Sequence, residues 1–203
     1  MKRSSGWLVG VLLLASPVLH ADIRLTYWDN VTHEAVTTTD AALIARARAL
    51  PIKARLMLIN RVVNQAARQM PDKVDEWRGL DALIKAGEGD CEDFALAKYQ
   101  LLRRSGVEDR HLRLLAAKDQ WSPTYHMVLR YQDGTLPSPL ILDNLTLMML
   151  PMSRRDDLDP LYSFNATTAE RWKNGKAQTI PLSTGIRLDG TLLAERAARL
   201  MTY

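Results

Sequence analysis

The chain has one cysteine, and acids crowd it: the segment reads Gly87-Glu88-Gly89-Asp90-Cys91-Glu92-Asp93. A thiol attacks carbon only as its thiolate, and two local features act on Cys91 in opposite directions. If Asp90 caps a helix, Cys91 falls in its first turn, where unpaired backbone N–H groups and the helix dipole favour the anion. Glu88, Asp90, Glu92 and Asp93 oppose the anion, because nearby negative charge raises a thiol pKa. A hard divalent cation bound through oxygen ligands would remove that conflict. Two plainer readings compete: the acids suit a helix start and face solvent, and a free cysteine is often a small buried hydrophobe.

A nucleophile needs a base. Beyond the first 21 residues the histidines are His33, His111 and His126. His126 opens a predicted strand and Asp143 ends the next one. A turn over residues 132 to 137 would set the two opposite each other, with Cβ atoms about 5 Å apart. The same register pairs Val128 with Ile141, apolar with apolar. A carboxylate there would fix the imidazole tautomer and leave the other ring nitrogen to take the Cys91 proton. The order is Cys, His, Asp. Taken alone, a His and an Asp near a turn are more often surface residues; the helix-start cysteine is what favours the triad.

The elements that must hold these residues divide the chain into a helical first half and a strand-rich second half. An Ala-rich run from Asp40 to Leu50 stops at Pro51. Leu56, Ile59, Val63 and Ala66 form the apolar stripe of a second helix, closed before Pro71. A third runs from an Asp90 cap, with Phe94, Ala95, Leu101 and Leu102 on its apolar face and Gly106 just past its end. Strands are predicted at Leu112–Ala117, Tyr125–Tyr131 and Leu140–Leu145, and Gln132-Asp133-Gly134-Thr135 supplies turn chemistry. After Trp172 the alternation is too weak to assign. Trp28, Trp77, Trp121 and Trp172 read as core or interface packing and Met148, Met149 and Met152 as core. His33 and His111 read as exposed, and Arg154-Arg155 against Asp156-Asp157 as a solvated loop.

With 203 residues, 47% hydrophobic and 25% charged, the chain is expected to form one globular domain over residues 22–203. A single cysteine excludes a disulfide framework and a Cys-rich zinc site. The formal net charge is +4; without Lys2 and Arg3 it is 25 cationic against 23 acidic side chains, with no dominant block, so nucleic acid is not indicated. Residues 1–21 read as a secretory signal peptide: Lys2 and Arg3, an apolar run from Trp7 to Ala15, and a cut after Ala21. Leu19 departs from the small residue preferred three positions before that cut. The mature protein is therefore expected outside the cytoplasm, where a lone thiol is exposed to oxidation.

Gly89 to Tyr99 (Gly-Asp-Cys-Glu-Asp-Phe-Ala-Leu-Ala-Lys-Tyr), His126 to Leu129 and Leu142 to Leu145 together resemble the bacterial transglutaminase-like cysteine proteases. Trp28-Asp29, Arg155-Asp156-Asp157-Leu158 and Tyr162-Ser163-Phe164-Asn165 extend the resemblance over roughly residues 27 to 172. It implies an α+β, papain-like fold in which the nucleophile helix packs on an antiparallel β-sheet, and a triad of Cys91, His126 and Asp143. It also implies calcium dependence through Asp90 and Glu92, with Asp93 as a third candidate ligand; no EF-hand spacing is present. The implied substrate is the N-terminal region of a large cell-surface adhesin, cut to release it and disperse biofilm. The implied partner is an inner-membrane cyclic-di-GMP receptor that sequesters the protease in the periplasm. Tyr125, where a small residue often precedes the His, and Thr168-Ala169-Glu170-Arg171 depart from the pattern. A transglutaminase-like acyltransferase would use the same triad, and a non-catalytic binding module would keep only the fold.

Overall fold

The structure is a computed structural model that describes residues 22–71, 76–121 and 124–181, with short pieces at 187–188, 191–192 and Met201. The leader expected at residues 1–21 lies outside the described residues. Ahead of the helices comes a hairpin that the helical reading of the first half missed: β1 (Arg24–Asp29) pairs antiparallel with β2 (Glu34–Thr39). β1 alternates exposed and buried residues, sinking Leu25 and Tyr27 into the core.

Thr39 then caps α1 (Asp40–Arg48) through its side chain, which accepts from the Ala42 N–H, and Arg46 and Arg48 suit the last turn. Pro51 separates it from α2 (Ile52–Ala66), whose buried stripe is Leu56, Ile59, Val62 and Val63. Two residues of β3 (Arg68–Gln69) follow. α3 (Leu80–Ala86), absent from the sequence reading, ends at Gly87, whose φ of 69° is the left-handed closure that glycine makes without strain. β4 (Glu88–Gly89) pairs in parallel with β3 and leads directly into α4 (Cys91–Arg104).

α4 is the centre of the molecule. Residues 93–99, Leu101 and Leu102 are all buried, because α1, α2 and α3 cover one side and the main sheet the other. That sheet is formed by β5 (Leu112–Asp119), β6 (Tyr125–Tyr131), β7 (Leu140–Leu142), β8 (Leu150–Pro151), β9 (Leu158–Phe164), β10 (Ala169–Lys173) and β11 (Lys176–Ile180). Its order is β11-β10-β9-β5-β6-β7-β8, antiparallel throughout. Leu112, Leu114, Met127, Leu129 and Leu142 face the helices. Leu115, Ala117, Val128, Ile141 and Leu158 form a second, smaller apolar cluster. With both faces covered, β6 has lost the clean alternation of a half-exposed strand. β12 (Arg187–Leu188) and β13 (Thr191–Leu192) form a separate short pair. Among the described residues no helix is long and apolar enough to cross a membrane. The α+β architecture is the expected one, with the Cys91-bearing helix packed against an antiparallel sheet.

Not every apolar side chain went inside. Trp77 is buried and Trp172 half-buried, but Trp121 is 85% exposed, Trp28 is half-exposed and Met148 is exposed, against the expectation of packing for all of them.

Candidate functional site

Asp90 occupies the cap position of α4 in extended conformation, yet its side chain makes no capping hydrogen bond. It is bonded instead to Glu92. The two carboxyls therefore crowd each other at the start of α4. Burial, then the Asp90 charge and hydrogen bond, push Glu92 up to about 8. Cys91 lies between them, half-buried, and its thiol donates to Glu92 Oε2 at 3.2 Å. Burial and the Glu92 and Asp90 charges raise the thiol pKa well above its ordinary value, outweighing the Met127 N–H that donates to Sγ at 3.3 Å. The helix start alone would favour a thiolate; the acids and the burial win.

Asp93 behaves differently from its neighbours. It is fully buried, accepts from the Arg78 N–H at 2.6 Å, and meets the Arg78 guanidinium at 3.3 Å. Its carboxylate is thus committed to tying the segment before α3 to α4.

His126 and Asp143 come together as expected: Nε2 lies 2.8 Å from Oδ1, and both side chains are buried. The route differs from the predicted one. β7 stops at Leu142, and its register pairs Arg130 with Ile141 and Leu129 with Leu142. The predicted pairing is therefore wrong by two residues, and the connection runs from 132 to 139. An even slip keeps every side chain on its own face, so His126 still meets Asp143, diagonally rather than directly. Asp143 itself ends the strand. Its Oδ1 accepts from the Leu145 N–H at 3.0 Å, turning the chain, and Asn64 of α2 donates to its carbonyl at 2.7 Å.

Burial would push Asp143 up, but the hydrogen bond and charge of His126, the Leu145 N–H and Arg155 hold it well below the carboxylate range. An ionised Asp143 can only accept, so His126 carries its proton on Nε2 and presents Nδ1 as the basic nitrogen. Among the described residues the thiol makes no hydrogen bond to His126; its proton lies on the Glu92 side.

Two cations near Asp143 were not found from the sequence. Arg155, expected in a solvated loop, is buried, with Nη1 2.9 Å from Asp143 Oδ2. Lys98 is fully buried on α4, seven residues beyond Cys91 and so near the same face. Burial brings Lys98 down to about 7, partly opposed by the Asp143 charge. A lysine inside an otherwise apolar helix face was the available signal. For Arg155 it was the membership of Arg155-Asp156-Asp157-Leu158 in the family resemblance. His33 is exposed in the β1–β2 turn, and half-buried His111 bonds the Gln132 carbonyl through Nδ1 at 2.9 Å.

The model of the family described as bacterial transglutaminase-like cysteine proteinase, BTLCP, matches residues 23–174. The chain belongs to this family. It is a cysteine peptidase with a transglutaminase-like fold, similar to the solved structures of Legionella pneumophila LapG. One is 36% identical, with a TM-score of 0.60, over 64% of this chain and 72% of that one. A calcium-bound form is 35% identical, TM-score 0.62, over 68% and 78%. An EGTA-treated form is 32% identical, TM-score 0.67, over 80% and 84%. Comparison with curated protein sequences finds no match.

Whether this family member's own residues suit calcium can be judged from the donor set. Among the described residues no three His, Cys, Asp or Glu side chains gather into a metal site. Asp90 and Glu92 nonetheless fit a hard cation: they are adjacent oxygen donors, the Asp90 charge helps raise Glu92, and a divalent ion between them would relieve that repulsion.

Proposed function

We propose that this peptidase is an exported, calcium-dependent cysteine endopeptidase whose triad is Cys91, His126 and Asp143. The observation that carries the reading is the meeting of two elements. The backbone N–H next to His126 donates to the Cys91 sulfur, while His126 itself is fixed by an ionised carboxylate. Cys91 Sγ attacks the scissile carbonyl as its proton passes to His126 Nδ1. His126 returns that proton to the leaving amine, then activates a water that hydrolyses the thioester. Asp143 holds the Nε2–H throughout and stabilises the imidazolium. Backbone N–H groups at the start of α4 are the available donors for the oxyanion.

Asp90 and Glu92 would hold the calcium, with backbone carbonyls completing the shell. Bound there, the ion supplies positive charge beside a residue that must become an anion. Glu92 has two alternatives: to accept the thiol proton, as in this structure, or to serve as a ligand. In the second case His126 Nδ1 is the acceptor left to the thiol.

The family resemblance supports a periplasmic setting. It also supports a large surface adhesin cut in its N-terminal region, so that it is released and biofilm disperses, and an inner-membrane cyclic-di-GMP receptor as the sequestering partner. The test is to incubate the mature protein and calcium with N-terminal fragments of exported adhesins. A single defined cut, lost on chelation and restored by calcium, is expected. Cross-linked products would indicate acyl transfer to an amine instead, and no product of either kind, with Cys91 unreactive, would leave only the fold.

A further inference from the structure

Asp143 lies just beyond β7, so no ladder holds its side chain. Its two oxygens are treated unequally. Oδ1 receives both the His126 ring and the Leu145 N–H, at 2.8 and 3.0 Å. Oδ2 faces Arg155 Nη1 at 2.9 Å, a close charge pair rather than an aligned hydrogen bond. Arg155 is itself held from behind. Its Nε donates to Asp157 Oδ1 and Oδ2 at 2.8 and 3.1 Å, and its Nη2 donates to Oδ2 at 2.7 Å. Its backbone is pinned as well: Arg155 N–H donates to the Met152 carbonyl and Leu158 N–H to the Arg155 carbonyl, each at 3.1 Å.

The pairing with Asp157 alone would suffice to brace the chain where it enters β9. It does not require the guanidinium to be buried, nor its free edge to meet a second carboxylate. A planar fork can serve two carboxylates at once, which a lysine cannot.

We propose that Arg155 is a positioning residue of the reaction, keeping Asp143 ionised and oriented so that His126 stays in the Nε2–H tautomer, with Asp157 fixing Arg155 in turn. This rests on the triad reading above. The chemical reason is the burial of Asp143. A carboxyl so placed, without a cation, favours its protonated form, which would donate to Nε2 and force the ring proton onto Nδ1. The nitrogen needed by the thiol would then be blocked, the same wrong-tautomer fault that an Asp-to-Asn change introduces.

The experiment has two readouts on the full mature chain with calcium: the imidazole nitrogen shifts of His126 and the rate of Cys91 alkylation by iodoacetamide. Arg155→Met should move His126 toward Nδ1–H and slow alkylation about tenfold or more. Arg155→Lys should recover only part of both, since the charge returns near Oδ2 without the fork that also holds Asp157. Asp157→Asn should shift both in the same direction by about threefold, and carries the test if Arg155→Met does not fold. In an Asp143→Asn background, Arg155→Met should add nothing further. A wild-type tautomer in folded Arg155→Met, or an equal further loss in the Asp143→Asn background, overturns the proposal. A wild-type Cys91 no more reactive than free cysteine overturns the protease reading, while the tautomer shift still decides the role of Arg155.

Discussion

Around Cys91 the charges are of one sign, whereas around Asp143 they alternate. On the thiol side Asp90 and Glu92 crowd together and, with burial, push the thiol pKa up. On the imidazole side the sequence His126, Asp143, Arg155, Asp157 sets each acid beside a base. The second half is complete as it stands. The first is short of one positive charge, so in this reading the site is regulated where the nucleophile is and built rigidly where the base is.

The largest expected effect comes from removing the nucleophile. Cys91→Ala should abolish cleavage of an adhesin fragment and leave the thermal midpoint within about 3 °C of wild type, since one small half-buried side chain carries little packing energy. Normal turnover by the folded variant would end the triad assignment.

Next is the compensated half. Asp143→Asn should lower kcat by about 10³–10⁴, because the amide can neither stabilise an imidazolium nor enforce the tautomer. Asn144→Ala, at the adjacent position, should stay within about threefold of wild type. Equal losses for the two would show that the turn matters and the carboxylate does not.

Chelation sharpens the contrast, because it should silence the thiol side reversibly without affecting the His126–Asp143 pair. Asp90→Ala and Glu92→Ala should weaken calcium binding, followed by titration calorimetry, together with activity. Glu88→Ala should do neither, because Glu88 is paired with exposed Arg68 at 2.7 Å. Glu92→Gln separates charge from ligation. In chelator its Cys91 should alkylate faster than wild type, having lost a nearby negative charge, and in calcium it should cleave more slowly. Magnesium should substitute poorly, because it keeps its waters and requires octahedral geometry.

The smallest effect on catalysis, and a measurable one on stability, is expected from Lys98→Met. A lysine brought down to about 7 in the folded state binds fewer protons there than in the unfolded chain between that pH and its ordinary range. Its penalty is therefore complete below pH 7 and fades as pH rises toward 10. Lys98→Met should raise the melting temperature by several degrees at pH 6, and the gain should shrink steadily with pH. A constant gain would mean that Lys98 is not the titrating group.

What was legible in the sequence follows the range of the forces involved. The extent of β6, the start of α4 at Cys91 and the stop at Gly106 depend on local sequence pattern, and each was readable. The β6–β7 register was not, because eight connecting residues allow several pairings and the two-residue slip leaves the apolar pattern unchanged. α3 is seven residues long, too short for its periodicity to show. Arg155 was misread because a charge cluster looks solvated unless its buried partner, twelve positions earlier, is known to lie beside it. The His–Asp contact was found despite the wrong register because only the face had to be right.

One small feature bears on the order in which the molecule assembles. β3 and β4 are only two residues each, but Arg68 N–H donates to the Gly87 carbonyl at 2.9 Å and Met70 N–H to the Gly89 carbonyl at 2.8 Å. These bonds fix the strand leading into Cys91 from about twenty positions away. Local helix formation cannot supply such a link; it requires a loop to close, with an entropy loss that only docked neighbours offset. During refolding, helical signal should therefore return before the Asp90–Cys91–Glu92 corner takes its shape. A refolding chain would be folded to the eye of a spectrometer for some time before it could cut anything.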